Sequence, residues 1–212
     1  MSQVLESKFD WQLKRQSPYT LITRPELADE ISPLWFESDY WTRQSAIVGT
    51  SIGRQTTYFI SNKTQSGDSL NMVLRHYYRG GLVRHLSKDA FVYTGLENTR
   101  SVAELKMLQQ MRELDLPVPK PMAARVERVK GLWCRNDILI ETLDNTTDGF
   151  HLLKQQGLSD ATWFAIGATI RRFHNAGVYH SDLNIHNLLI DEAERVFLID
   201  FDRCGFRAQE KR

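Results

Sequence analysis

The chain has 212 residues, 42% hydrophobic and 25% charged, with a formal net charge of +1. That length suits one domain or two small lobes and allows a sizeable buried core. Without a global charge excess nothing drives the chain onto nucleic acid, so any anion it recognises must be met by a local cluster.

Residues 1–16 alternate charged and apolar types and lack a signal-peptide core or cleavage site. No stretch approaches the ~18 apolar residues of a membrane span. Cys134 and Cys204 fit no metal-ligand spacing, which suits a reducing compartment. A cytoplasmic protein is expected, with a peripheral membrane contact left open and oligomeric state undetermined. Residues 45–60 read as strand, glycine-bearing turn, strand: Ala46-Ile47-Val48 enters the turn and β-branched and aromatic types leave it. Residues 62–68 form a hairpin loop around Gly67, and 70–78 a third strand. Val102, Leu105, Leu108 and Met111 recur at helical spacing within 100–114, and Pro117, Pro119 and Pro121 forbid continuation. Residues 122–129 and 133–143 are two strands joined at Lys130-Gly131.

The second half opens with Ser159 as N-cap of a helix whose apolar stripe is Trp163, Ile166, Ile170 and Phe173, stopped at Asn175-Ala176-Gly177. A polar loop at 180–186 precedes a strand at 187–190, a turn at 191–195 and a strand at 196–199. The pattern turns polar near 143–148. The expected organisation is 1–143 as a nucleotide-binding N-lobe with an N-terminal extension, and 144–212 as a C-lobe carrying a catalytic loop and a metal-binding segment.

The strongest chemical signal is His180-Ser181-Asp182-Leu183-Asn184-Ile185-His186-Asn187, followed by two strands that end on Asp200-Phe201-Asp202. Phosphoryl transfer from ATP needs a carboxylate to orient the attacking hydroxyl and accept its proton, and oxygen ligands to hold Mg²⁺ against the phosphates. Asp182 at a loop apex suits the first task. Asn187 and Asp200, at the ends of neighbouring strands, suit the second, with water and phosphate completing the shell. The order and spacing match the H-x-D-L-x-x-x-N … D-F-x pattern of protein kinases and their relatives. That match implies an α+β, protein-kinase-like bilobal fold: an antiparallel N-lobe sheet with one main helix, and a mostly helical C-lobe. His180 is expected to hold the loop, and His186 either to support it or to touch substrate.

On the N-terminal side, Gly49 and Gly53 lie where backbone N–H groups could cover phosphates. Arg75 occupies the third-strand position expected to supply a cation to the α/β-phosphates, with Glu104 as its acidic partner. Glu141, near the end of the 133–143 strand, is counted with the nucleotide-binding residues. Asp202 replaces the glycine usual in protein kinases, is grouped with the acceptor side, and is open to two roles, a second Mg²⁺ ligand or a loop anchor. The basic run Arg75, His76, Arg79, Arg84 and His85 reads as an anion-recognition segment, with Arg79 and Arg84 facing the acceptor.

Several segments together resemble the 3-deoxy-D-manno-octulosonic acid (Kdo) kinase family: Leu74-Arg75-His76-Tyr77-Tyr78-Arg79-Gly80-Gly81, Glu104-Leu105, Leu116-Pro117-Val118-Pro119-Lys120-Pro121, residues 179–187 and Ile199-Asp200-Phe201-Asp202-Arg203. The resemblance runs from Trp35 to Arg207. It implies transfer of the ATP γ-phosphate to the 4-hydroxyl of Kdo on a lipid A precursor, with Asp182 as the catalytic acid. It also implies a cytoplasmic enzyme, peripheral on the inner membrane of a Gram-negative bacterium, in lipopolysaccharide core biosynthesis. Relatives continue with further helical sequence where this chain stops at Arg212, which implies that part of the C-lobe is missing. The competing readings are a heptose, aminoglycoside or choline-type kinase, or an inactive kinase-like binding module.

Overall fold

The computed structural model describes residues 11–52, 56–79 and 88–207. It is a mixed α and β structure with a large antiparallel sheet and few helices. Two compact units are resolved: Met1–Leu105 with Pro121–Thr142, and Lys106–Lys120 with Leu143–Arg212.

In the first unit a hairpin, β1 (Gln12–Gln16) and β2 (Tyr19–Thr23), leads through 3₁₀ turns at Pro25–Leu27 and Pro33–Phe36 into α1 (Ser38–Arg43). Then come β3 (Ile47–Ile52), β4 (Thr56–Lys63), β5 (Ser69–His76) and a short β6 (Phe91–Val92). α2 (Arg100–Glu113), which belongs to this unit up to Leu105 and to the second from Lys106, precedes β7 (Pro121–Arg128) and β8 (Trp133–Glu141). The sheet order is β1-β2-β7-β8-β5-β4-β3, with β6 pairing β8 beyond the end of β5. The N-terminal extension is thus partly a strand pair of the main sheet, since Tyr19–Thr23 register on Glu127–Ala123.

Side chains alternate across a strand. Leu70, Met72 and Leu74 of β5 and Leu139 of β8 bury one face against Leu21, Trp35 and Trp41. Trp41 is fully buried, and its indole N–H donates to the Trp35 carbonyl at 2.7 Å, as a buried Trp requires. At the far end of that face the apolar core gives way to an ionic network. Asp137, 1% exposed, accepts from Arg125 Nε at 2.8 Å and pairs with His76 Nδ1 at 2.6 Å. Arg125 also reaches Glu37 and the Pro33 carbonyl, while His76 Nε2 lies 3.3 Å from Asp89, itself held by Arg135.

Burial opposes a charged His76 ring, but hydrogen bonding and charge attraction from Asp137, then from Asp89, outweigh it and raise its pKa. A raised folded-state value stabilises the protein fully below the ordinary imidazole pKa of about 6.5, and that contribution disappears as pH rises through the folded value. Urea midpoints should therefore fall as pH is raised above about 6.5, and His76→Gln should flatten this slope. An unchanged slope in the variant would remove His76 as its source.

The second unit holds β9 (Thr146–Asp148), α3 (Gly149–Gln156), α4 (Asp160–Asn175), β10 (Val178–Tyr179), β11 (Leu188–Asp191), β12 (Val196–Leu198) and β13 (Gly205–Phe206). Beside its helices it carries two small sheets, β12-β11-β9 and β10-β13. The polar segment at 143–148 contributes a strand because Thr146–Asp148 pair with Asp191–Leu189. Ser159 caps α4, its hydroxyl accepting from Thr162 N at 3.0 Å. The stripe differs from the expected one at its start: Thr162, Ile166, Thr169 and Phe173 are buried, whereas Trp163 is 47% exposed. The Thr162 and Ser159 hydroxyls both donate to Glu194 in the β11–β12 turn, which draws position 162 inward and holds the Glu194 carboxyl below its usual pKa.

Candidate active site

In the second unit β11 and β12 run antiparallel with Leu188 opposite Leu198. The Ile199 N–H donates to the Asn187 carbonyl at 3.1 Å, so Asp200 emerges beside Asn187. Apolar Leu188, Ile190, Val196 and Leu198 are buried and fix this register. At the far end Asp191 accepts from the backbone of Ala193 and Arg195 and from Arg195 Nε. Burial works against its ionised form, but these bonds prevail and lower its pKa.

The loop between β10 and β11 is held by its backbone and by His180. His180 Nε2 bonds the Ile199 carbonyl at 3.0 Å and its Nδ1 accepts from the Asp182 N–H at 3.2 Å, which requires the neutral tautomer protonated at Nε2. Its ring lies against buried Phe201, which stacks on Phe173 of α4. The Asp182 carbonyl accepts from the side-chain amides of Asn184 (3.1 Å) and Asn187 (2.8 Å). Because Asn187 spends its NH₂ group this way, its Oδ1 is the atom presented as an acceptor. Asp182 itself is exposed, and among the described residues no hydrogen bond uses its carboxylate.

Asp200 has φ 64°, a left-handed conformation uncommon for a residue with a side chain and concentrated at functional sites. The following turn closes with Cys204 N on the Phe201 carbonyl, and Ser181 Oγ donates to the Asp202 carbonyl at 3.0 Å. Ser181 thus ties the loop to the backbone at position 202. His186 lies on the Phe150 ring at 4.3 Å, 3.9 Å from Asp148, the N-cap of α3. α3 can approach this turn because it begins with Gly149, where a Cβ would meet Ile185 at 3.0 Å.

In the first unit Arg75 of β5 forms an ion pair with Glu104 of α2, and Tyr77 donates its hydroxyl to the other Glu104 oxygen at 2.5 Å. Burial, then the Glu104 charge, push the Tyr77 pKa well up, so it remains a donor. Glu104 is 3% exposed and so is a buried charge with two partners. Glu141 ends β8 opposite Met72 and is half-buried.

Gly49 differs from expectation: it lies within β3, paired with Phe59, because Thr50, Ser51 and Ile52 continue the ladder to Thr56. Gly53, Arg84 and His85 lie outside the described residues. The basic run does not form one anion cluster among the described residues. Arg75 turns to Glu104, His76 to two carboxylates, and the Arg79 guanidinium lies over the Phe91 and Trp133 rings at 5.3 and 5.2 Å.

A family model described as lipopolysaccharide kinase (Kdo/WaaP) family matches residues 38–212, which include every motif above. The chain belongs to that family. The 3-deoxy-D-manno-octulosonic acid kinase of Haemophilus influenzae (strain 86-028NP) is 45% identical over 81% of this chain and 72% of its own length. The enzyme of the same name from Photobacterium damsela subsp. piscicida is 42% identical over 88% of this chain and 78% of its own. A solved structure described as WaaP in complex with acyl carrier protein matches with a TM-score of 0.50 at 15% identity, covering 88% of this chain and 73% of that one. At that identity the likeness concerns the fold alone.

Sequence reasoning about this member of the Kdo/WaaP family missed the Tyr77 hydroxyl, the Ser181 latch and the Asp137 network. One signal was available for the last: Arg125 and Asp137 are charged residues inside otherwise apolar strands.

Proposed function

We propose that the protein transfers the γ-phosphate of ATP to the 4-hydroxyl of Kdo attached to a lipid A precursor, at the cytoplasmic face of the inner membrane. The observation that carries this reading is the arrangement of Asp182, Asn187 and Asp200 around one hydrogen-bonded loop in a chain of the lipopolysaccharide kinase family. Asp182, exposed at the apex, orients the acceptor hydroxyl and accepts its proton.

The donors suit Mg²⁺. The Asn187 amide presents its oxygen, Asp200 adds a carboxylate, and a hard cation takes few protein oxygens and keeps water and phosphate for the rest. When bound, Mg²⁺ supplies neutralisation of phosphate charge. Arg75, held by Glu104 and Tyr77, is assigned to the α/β-phosphates, and residues 1–143 and 144–212 to the nucleotide and catalytic lobes of a protein-kinase-like fold. No described helix is long and apolar enough to cross a membrane.

The test is a mass measurement of lipid A precursor bearing one Kdo after incubation with enzyme and Mg-ATP. Gain of one phosphate supports the reading; phosphorylation of a heptose or aminoglycoside acceptor in its place overturns it. Asp200→Asn should raise the Mg²⁺ concentration needed for half-maximal activity by about 10-fold or more, at least what loss of an outer-shell partner costs a metal site. An unchanged Mg²⁺ titration would reject the metal assignment.

A further inference from the structure

We propose that the tip of the β7–β8 hairpin, with the adjoining β6, is the surface by which the protein docks on an anionic lipid bilayer. This rests on the reading of the acceptor as a membrane lipid, but it concerns a different part of the molecule.

The tip is closed by the Val129 N–H on the Trp133 carbonyl at 2.9 Å, and Tyr93 N–H donates to the Leu132 carbonyl at 2.7 Å. These bonds bring β6 alongside, with Val92 directly opposite Trp133, so that their side chains share a face. Four apolar residues are consequently gathered at one end of the sheet and left in solvent: Leu132 at 67%, Val92 at 52%, Trp133 at 40% and Val129 at 36% exposure. Scattered exposed apolar residues need no explanation, but four on one hairpin turn and the strand paired beside it mark an interaction surface.

The cations point to the partner. Arg128 donates to the Gly131 carbonyl at 3.0 Å and lies 3.9 Å over the Tyr93 ring, at the base of the turn. Lys130 is exposed at the tip and has no carboxylate partner among the described residues. Lys88 is exposed where its carbonyl accepts from Arg79 N–H. The nearby carboxylates Asp89 and Glu127 are both engaged by Arg135, so the tip presents positive charge. Apolar side chains, a half-exposed Trp and flanking Lys and Arg are the combination that sits at a lipid headgroup boundary, where the cations meet phosphates and the indole spans the polar–apolar step.

The experiment is co-sedimentation of the whole protein with acceptor-free vesicles of phosphatidylcholine, with and without phosphatidylglycerol, at low and high salt. Wild-type protein should sediment with the phosphatidylglycerol vesicles and be released by salt. Lys130→Ala should weaken partitioning roughly five-fold, and Leu132→Ser roughly ten-fold or more. Both side chains are solvent-exposed, so a far-ultraviolet spectrum and melting curve like wild type are expected. Kinetics on a deacylated, water-soluble acceptor should be unchanged in both variants.

Wild-type protein that stays in the supernatant at low salt, variants that sediment like wild type, or equal binding to neutral and anionic vesicles would each overturn the proposal. So would Lys130- and Leu132-dependent capture of a purified acidic protein such as acyl carrier protein with no binding to vesicles. Because the vesicles carry no acceptor, a negative result leaves the phosphotransfer reading standing, and a failed phosphotransfer assay leaves the docking result intact.

Discussion

Asp182→Ala is expected to lower kcat by about 10²–10⁴-fold, the usual contribution of a positioned general base, while leaving the melting temperature close to wild type. Both halves of this expectation come from the loop. Its shape is held by groups that alanine at 182 retains: the N–H that donates to His180 Nδ1 and the carbonyl that accepts from Asn184 and Asn187. The carboxylate takes no part in that scaffold, so its removal leaves no buried group unsatisfied. Asp182→Asn keeps the shape and removes the proton acceptor, and it should fall nearly as far. The measurement is steady-state turnover beside a thermal melt. A folded Asp182→Ala protein with near-wild-type turnover would move the base to another residue. A large drop in melting temperature would instead make Asp182 part of the scaffold.

Asp137→Ala should have the largest effect on stability, about 3–5 kcal/mol, as expected when one partner of a buried charge network is removed. Asp137 is 1% exposed and faces Arg125 and His76 at hydrogen-bond distance. Its loss leaves a guanidinium that is 6% exposed with Glu37 as its remaining carboxylate, and a His76 ring with Asp89 alone. Those surviving partners place the expected loss toward the lower end of the range. It corresponds to a drop of roughly 6–20 °C in melting temperature for a chain of this size. Asp137→Asn retains one acceptor oxygen and should lie between alanine and wild type. Urea unfolding of Asp137→Ala, His76→Gln and the double variant would show the coupling as non-additivity. A loss under 1 kcal/mol for Asp137→Ala would mean that the network contributes little to holding this end of the sheet.

Asp182 and Asp137 differ in how local their surroundings are in the sequence. The elements around Asp182 could be read because their interactions are local: the Ser159 cap, the stop at Gly177, and two short apolar strands joined by a tight turn all lie within about fifty residues. A strand–turn–strand with buried alternate residues has little choice of register, so Asn187 and Asp200 come together by the rules of the hairpin alone. The Arg75–Glu104 pair could be proposed for a related reason, since Glu104 is the only acid in the central turns of α2.

By itself, then, the amino-acid order determined the polar loop around Asp182, the strand pair that carries the metal-ligand candidates, the helices at 100–113 and 160–175, and the family. Only the tertiary structure decided where long-range pairing falls. Residues 12–23 become strands because β7 offers an open edge about a hundred residues later, and the polar stretch 146–148 becomes one because β11 does the same. His76 finds Asp137 sixty-one positions away, so no local pattern distinguishes it from the arginines beside it. The α4 stripe begins at Thr162 and not Trp163 because Glu194, on a distant turn, satisfies the threonine hydroxyl. The shared physical reason is that local hydrogen bonds and side-chain period are written in adjacent residues, whereas burial of a polar group is tolerable only when a partner arrives from elsewhere in the chain.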